Sequence, residues 1–155
     1  MQARMKNPAM VLGAFEPVQA LYKAVHAGGV DPATLELVHL RASQINGCSA
    51  CVASGTRSAR KAGETDERLA TVAAWREATV FTEAERVALE LTEQGTRIAD
   101  ASGGVTDEAW DYATKVYDED QLAALVCLIA LINTYNRMNV ITRQPAGGYV
   151  PGQFG

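Results

Sequence analysis

The sequence predicts an all-α fold, a single-domain helical bundle of about seven helices. Helix-capping residues recur along the 155 residues, and apolar residues follow them at the spacing of a helix face. The alternation of apolar and polar residues that is typical of strands is nearly absent. Apolar residues make up 48% of the chain, which is enough for a hydrophobic core. The length is that of one ordinary domain, so we expect residues 1–155 to form a single domain.

Three helices are predicted in the first part of the chain. Asp31 is a favourable N-cap residue, and Pro32 after it suits the first helical position, where a backbone N–H is not needed. A helix is therefore predicted to start there. The turn residues Asn46 and Gly47 end that helix, and Gly63 is a good terminator for the next one. The expected ranges are about 16–27, 32–45 and 48–63.

Four further helices are predicted in the second part. Thr65, Thr106 and Asp118 are N-cap residues, and Thr82 with Glu85 has the spacing of a capping box. These helices should end near Glu77, Arg97, Tyr117 and Ile141. The two ends of the chain are expected to be irregular. They are an extended lead-in over 1–14 and an irregular tail over 143–155 that could stay loose or wrap a neighbouring subunit.

Charge and hydropathy exclude several classes of partner. The net charge is −4 and no dense run of Lys or Arg occurs, so nucleic acid and anionic membranes are not expected partners. The longest apolar run, Leu122 to Ile132, is well short of the ~20 residues of a membrane span, and we expect a buried core helix there. No secretory signal is recognised at the N-terminus, which predicts a cytoplasmic location.

The candidate active site is a dithiol, Cys48 and Cys51, directly after the turn Asn46-Gly47. Thiolate is the reactive form of cysteine, and free cysteine titrates at ~8.5. The unpaired N–H groups and the dipole at a helix start stabilise that negative charge. Two cysteines at this spacing can also close a disulfide within one turn, so the pair can cycle by thiol–disulfide exchange.

Two other interpretations of the dithiol are a zinc half-site and inert packing. Tetrahedral zinc needs four ligands, and only Cys127, His26 and His39 remain, none of them in a second ligand pair. Cys127 lies within an apolar run and is expected to behave as a small core residue. We therefore predict redox chemistry at Cys48 and Cys51, with no metal and no cofactor.

The sequence around the dithiol resembles the carboxymuconolactone decarboxylase-like superfamily, in its alkylhydroperoxidase D-like branch. The most specific string is Ser-Gln-Ile-Asn-Gly-Cys-Ser-Ala-Cys, which ends at Cys51. The resemblance covers about residues 15–150. The stretches that carry it are 36–51, 59–65, 75–77, 81–86, 132–137 and 145–149.

The resemblance implies reduction of hydroperoxides by a protein that assembles as a homo-oligomer, a trimer or hexamer. In the dithiol branch the second cysteine attacks the peroxide and the first resolves the sulfenic acid, which gives Cys51 the attacking role and Cys48 the resolving role. It also implies a dithiol reductant protein, such as a lipoyl-bearing protein. The helix dipole instead favours Cys48 as the more acidic thiol, because it lies nearer the helix end.

Three further residues bear on proton transfer. The resemblance places a proton-relay glutamate at Glu36, although by itself the residue could be a solvated helix carboxylate. The family's histidine four residues after the second cysteine is replaced by Gly55. This glycine either marks loss of a catalytic group or opens space for another substrate or for water. His39 lies three residues after Glu36 and could supply the missing base, or it could be an exposed residue on a polar face.

Three functions remain open from the sequence. The first is a dithiol oxidoreductase that reduces hydroperoxides, with activity impaired or altered by Gly55. The second is a non-catalytic family member that responds to redox state or acts as a scaffold. The third is carboxymuconolactone decarboxylase-type activity, against which the dithiol argues.

Overall fold

The computed structural model describes residues 2–101 and 103–147. Within those ranges the chain forms eight α-helices and one 3₁₀ turn, without a strand. The helices are α1 Pro8–Val11, α2 Phe15–Ala27, α3 Pro32–Ile45, α4 Ser49–Lys61, α5 Asp66–Thr71, α6 Glu83–Thr96, α7 Asp107–Val116 and α8 Glu119–Thr142, and the 3₁₀ turn Val72–Ala74 follows α5. The predicted all-α fold is confirmed.

The capping residues found in the sequence all act as predicted. The side chains of Asp31, Thr65, Thr106 and Asp118 each accept a hydrogen bond from a backbone N–H in the first turn of the following helix. The capping box between Thr82 and Glu85 is also present. Local chemistry therefore sets most helix starts.

The predicted end of the fourth helix is wrong. This helix, expected to reach Glu77, leaves α geometry after Thr71. Arginine side chains from elsewhere bind carbonyls beyond that point: Arg41 donates to the Ala73 oxygen at 3.2 Å. Arg86 donates to the Trp75 and Ala78 oxygens at 3.1 and 2.9 Å. These bonds satisfy carbonyls that are free at a helix end.

The lead-in over 1–14 is not wholly extended, because α1 lies within it. The Asn7 side chain accepts a hydrogen bond from the N–H of Ala9 at 2.9 Å, and Pro8 takes the first helical position. This Asn-Pro start is the same signal as Asp31-Pro32. At the other end α8 stops at Thr142, and the part of the predicted tail over 148–155 lies outside the described residues.

Helix α3 lies at the centre of the fold. Eight of its 14 residues are buried, and it packs against α4, α6 and α8. Leu37, Val38 and Ala42 have no exposed surface. A helix that is apolar on most of its circumference must be surrounded by protein. The polar residues that α3 carries, Glu36 and His39 among them, are therefore held between helices.

By length and composition, one helix in the described ranges could cross a membrane. It is α8, with a mean hydropathy of 1.4 over 18 residues, 39% of which are buried in the fold. Nine α8 residues are buried, and the helix packs against α2, α3 and α6. The predicted core role of 122–132 accounts for this apolar composition, since a core helix passes the same test.

A buried charge cluster joins α3 to α6. The guanidinium of Arg41 donates to Glu93 Oε2 from Nε and Nη2 at 3.3 and 2.9 Å, and the indole N–H of Trp75 donates to the same oxygen at 3.0 Å. Burial alone would raise the pKa of Glu93. The hydrogen bonds from Trp75 and Arg41 and the charges of Arg41 and Arg76 outweigh it, so the pKa lies below its ordinary value.

This cluster should make stability dependent on acid. Because the pKa of Glu93 is lower in the folded chain, its stabilising contribution is full above its unfolded value of ~4.3 and is lost as pH falls through the folded value. We expect Glu93→Gln to cost about 1.5–3 kcal/mol at neutral pH, since Arg41 and Trp75 exchange a charged acceptor for a neutral amide oxygen. Urea unfolding at fixed protein concentration measures this. The exposed Glu77→Gln is the matched control, and equal losses in both variants would contradict the prediction.

Candidate active site

The dithiol lies at the start of α4, as predicted. Gly47, with a φ of 64°, makes the turn from α3, and Cys48 is the N-cap of α4. The two sulfurs lie near disulfide-bonding distance, with Cα atoms 5.3 Å apart. The N–H of Cys51 points at Cys48 Sγ, 3.3 Å away. Both side chains are nearly enclosed: Cys48 is 1% and Cys51 4% exposed.

The turn before the dithiol is tied to α8 by amides. Asn46 donates from Nδ2 to Asn133 Oδ1 at 3.0 Å and to Asn136 Oδ1 at 2.9 Å. Asn136, which has no exposed surface, donates in turn to the Ser43 hydroxyl at 3.1 Å. Buried amides with all these partners fix one geometry. The position of Cys48 relative to α8 is therefore set by side-chain hydrogen bonds.

The last turns of α8 bring one more polar group to the site. Asn139 donates from Nδ2 to Cys51 Sγ at 3.2 Å. Sequence reasoning missed this residue, because 88 positions separate it from Cys51. The signal that could have found it is the series Asn133, Asn136 and Asn139 at three-residue intervals in an otherwise apolar helix.

His39 lies against Gly55. A Cβ atom on Gly55 would lie 3.3 Å from Cε1, 3.4 Å from Nδ1 and 3.5 Å from Nε2 of the His39 ring. Gly55 follows Cys51 by one helical turn, and residues so spaced are neighbours on one face. The imidazole from α3 thus fills the space that the missing side chain of Gly55 leaves. The idea that Gly55 leaves open space for substrate or water is wrong.

Glu36 and His39 lie together on α3, one turn apart. The distance from His39 Nδ1 to Glu36 Oε2 is 3.6 Å, and the side chains are only 18% and 13% exposed. The expectations of a solvated Glu36 and an exposed His39 are therefore wrong. Glu36 Oε2 is buried and has no hydrogen-bond partner among the described residues. A carboxylate and an imidazole in this arrangement can hold and pass a proton.

The other cysteine and histidine lie elsewhere. Cys127 is a free, half-buried residue of α8 packed against the core. His26, near the end of α2, contacts the Tyr22 carbonyl oxygen through Nδ1 at 3.0 Å. Over the described ranges, no cluster of three or more His, Cys, Asp or Glu side chains could hold a metal ion.

Comparison with known proteins agrees with this fold. YdfG, an uncharacterized protein of Bacillus subtilis (strain 168), is 38% identical over 118 residues, which are 76% of this chain and 79% of YdfG. The crystal structure of ATU0492 from Agrobacterium tumefaciens superposes with a TM-score of 0.86 at 30% identity, covering 96% of this chain and all of that one. For ATU0492, a protein of unknown function, a role as the antioxidant defence protein AhpD has been suggested.

A more distant structure shows the same fold. An uncharacterized peroxidase-related protein from Silicibacter sp. TM1040 gives a TM-score of 0.75 at 18% identity, covering 90% of this chain and 73% of that one. The model of the carboxymuconolactone decarboxylase family matches residues 13–94, a range that includes the dithiol, Glu36 and His39. With its AhpD-like helical fold, this chain belongs to the carboxymuconolactone decarboxylase family.

Proposed function

We propose that the protein is a dithiol oxidoreductase that reduces hydroperoxides through a Cys48–Cys51 disulfide. The observation that carries the proposal is two cysteines near bonding distance at the start of α4, with a mostly buried His39–Glu36 pair packed against Gly55 one turn further along that helix. The antioxidant role suggested for ATU0492, which is 30% identical, is consistent with it. Glu36 and His39 lie on α3, and the His39 ring contacts Gly55 of α4, one helical turn after Cys51.

The proposed reaction has two steps. The thiolate of Cys51 attacks the terminal peroxide oxygen, the O–O bond breaks, and the alkoxide takes a proton and leaves as an alcohol. Cys51 is now a sulfenic acid. The sulfur of Cys48 attacks it, the S–O bond breaks, and hydroxide leaves as water once it is protonated. Two thiols are oxidised to a disulfide and one hydroperoxide is reduced.

His39 is proposed to serve as the base in place of the family histidine that Gly55 replaces. Its ring contacts Gly55, the residue one helical turn after Cys51, and in the proposed mechanism it takes the thiol proton and returns it to the leaving oxygen. Glu36, whose Oε2 lies 3.6 Å from His39 Nδ1, is proposed to exchange that proton with the ring through a bridging water. In this assignment position 55 must be glycine, because any larger side chain there would crowd the His39 ring.

Completion of the cycle needs a reductant for the disulfide. We propose a protein that carries a dithiol, because two linked thiols can open the disulfide and leave as a disulfide themselves. Cytoplasmic location and assembly as a trimer or hexamer stay predictions from the sequence.

A second candidate function is a redox-responsive protein without turnover. The observation that favours it is the enclosure of both sulfurs, at 1% and 4% exposure, since reactive cysteines are commonly more accessible. In that case the dithiol would oxidise slowly and its state would alter packing. The two candidate functions differ in one observable: an enzyme is reoxidised by peroxide repeatedly when a reductant is present, whereas a redox-responsive protein is not.

The test is stoichiometry followed by turnover. The reduced protein should consume one equivalent of cumene hydroperoxide or hydrogen peroxide and lose two thiols per chain. With excess dihydrolipoamide, consumption should continue for many equivalents, at a rate proportional to protein. Mass spectrometry should locate the product disulfide at Cys48 and Cys51. Oxidation that stops at one equivalent with the reductant present would reject catalysis and leave the redox-responsive function.

A further inference from the structure

We infer that Asn139 is the residue that makes Cys51, and not Cys48, the attacking thiol. The inference rests on the proposed function and concerns how the two sulfurs of the same site become unequal. It starts from the hydrogen bond that Asn139 Nδ2 donates to Cys51 Sγ at 3.2 Å. A donor in contact with a sulfur stabilises the thiolate more than the neutral thiol.

The helix end by itself acts in the opposite direction. Cys48 is the N-cap of α4, and its Sγ receives the backbone N–H of Cys51 at 3.3 Å. The partial positive charge of a helix start is strongest at this position. Backbone geometry therefore favours a thiolate at Cys48. Selection of Cys51 requires groups from outside α4. His39 is the proposed base, and the donor that the structure shows at the sulfur itself is the Asn139 amide.

The divided donors suit the two steps of the reaction. In the first step Cys51 must be the thiolate, and the Asn139 N–H is directed at its sulfur. In the second step Cys48 must attack the oxidised Cys51, and its own donor is the Cys51 backbone N–H. Among the described residues, the Cys51 sulfur thus has a side-chain donor from α8, and the Cys48 sulfur has a backbone donor from α4.

The structure holds Asn139 firmly. Its carbonyl oxygen accepts the N–H of Gln144 at 2.9 Å, after Arg143 reverses the chain with a φ of 55°. Gln144 donates from Nε2 to the Met5 carbonyl at 2.9 Å. The N–H of Arg4 donates to the Thr142 carbonyl at 2.8 Å. The residues after α8 and the N-terminal segment together fix the turn from which the amide reaches Cys51.

The test measures each thiol separately. In a Cys48→Ser/Cys127→Ser background the ultraviolet absorbance of the thiolate reports Cys51 alone. In a Cys51→Ser/Cys127→Ser background it reports Cys48. We expect Asn139→Asp, which keeps the shape and replaces the donor by a carboxylate, to raise the Cys51 pKa by about one to two units and to move the Cys48 pKa much less. Gln19→Glu on α2 controls for added charge.

Asn139→Leu removes the donor without adding charge and should shift the Cys51 pKa in the same direction, which keeps the test available if the aspartate variant does not fold. A helix-packing role for Asn139 would lower the unfolding temperature and leave the thiol pKa unchanged. An unchanged Cys51 pKa in a folded variant, or equal shifts at both cysteines, overturns the inference. These titrations need no peroxide, so a selective shift without peroxide turnover would reject the proposed function and retain thiolate selection by Asn139.

Discussion

Cys51→Ser should abolish hydroperoxide reduction, with a loss of at least about a thousandfold in turnover under dithiol reductant. Serine keeps the shape of the side chain but cannot form a thiolate at neutral pH, so the first step has no nucleophile. Because Cys51 is only 4% exposed, we do not expect a water molecule to act as the nucleophile in the serine variant. Peroxide consumption in single and multiple turnover measures the effect.

Cys48→Ser should give a different defect. The first step remains, so one equivalent of peroxide is consumed, but the sulfenic acid on Cys51 then has no resolving partner. Reaction with dimedone and mass spectrometry should detect that species. Cys127→Ser, which changes the third cysteine of the chain, should keep wild-type turnover. If Cys51→Ser performs the single turnover and Cys48→Ser does not, the two roles are reversed.

His39→Gln should lower kcat/KM for hydroperoxide about a hundredfold, the lower range of what general acid–base catalysis contributes. Glutamine keeps a polar side chain of similar reach but cannot take a proton from the thiol. The pH dependence of the rate should also change, which a purely structural loss would not cause. The matched control is His26→Gln, because the chain has two histidines and His26 lies near the end of α2.

A relocation of the histidine separates this role from packing. A Cβ at Gly55 would lie 3.3 Å from His39 Cε1, so Gly55→His in the wild-type chain should crowd the ring and gain nothing. In the double variant His39→Ala/Gly55→His that space is vacated, and the new imidazole lies one turn from Cys51 on the same face. We expect at least tenfold recovery over His39→Ala. No recovery in a folded double variant, together with full activity in His39→Gln, would remove His39 from the mechanism.

The sequence was most informative where the structure depends on neighbouring residues. The capping box of Thr82 and Glu85 and the cap at Asp31 involve groups within one turn, so their chemistry is readable in the chain. The Cys48–Cys51 pair and the Glu36–His39 pair are likewise formed by residues within one helical turn of each other, so they too can be recognised in the sequence. Asn7-Pro8 carries the same helix-start signal, and it makes the prediction of an extended lead-in over 1–14 wrong at this point.

The features that sequence reasoning missed depend on contacts between distant parts of the chain. The carbonyls beyond the end of α5 are bound by the side chains of Arg41 and Arg86, which come from α3 and α6. The contact of His39 with Gly55 depends on how α3 packs against α4. The donor from Asn139 crosses 88 positions. Periodicity predicts which helices exist, but only packing decides which faces meet.

The N-terminal segment is bound to the end of α8. Arg4 donates to the Thr142 carbonyl and the Gln144 side chain donates to the Met5 carbonyl, while the Gln144 N–H donates to the Asn139 carbonyl. The first residues of the chain therefore belong to the support of the amide that contacts Cys51, although they lie far from the dithiol in the sequence.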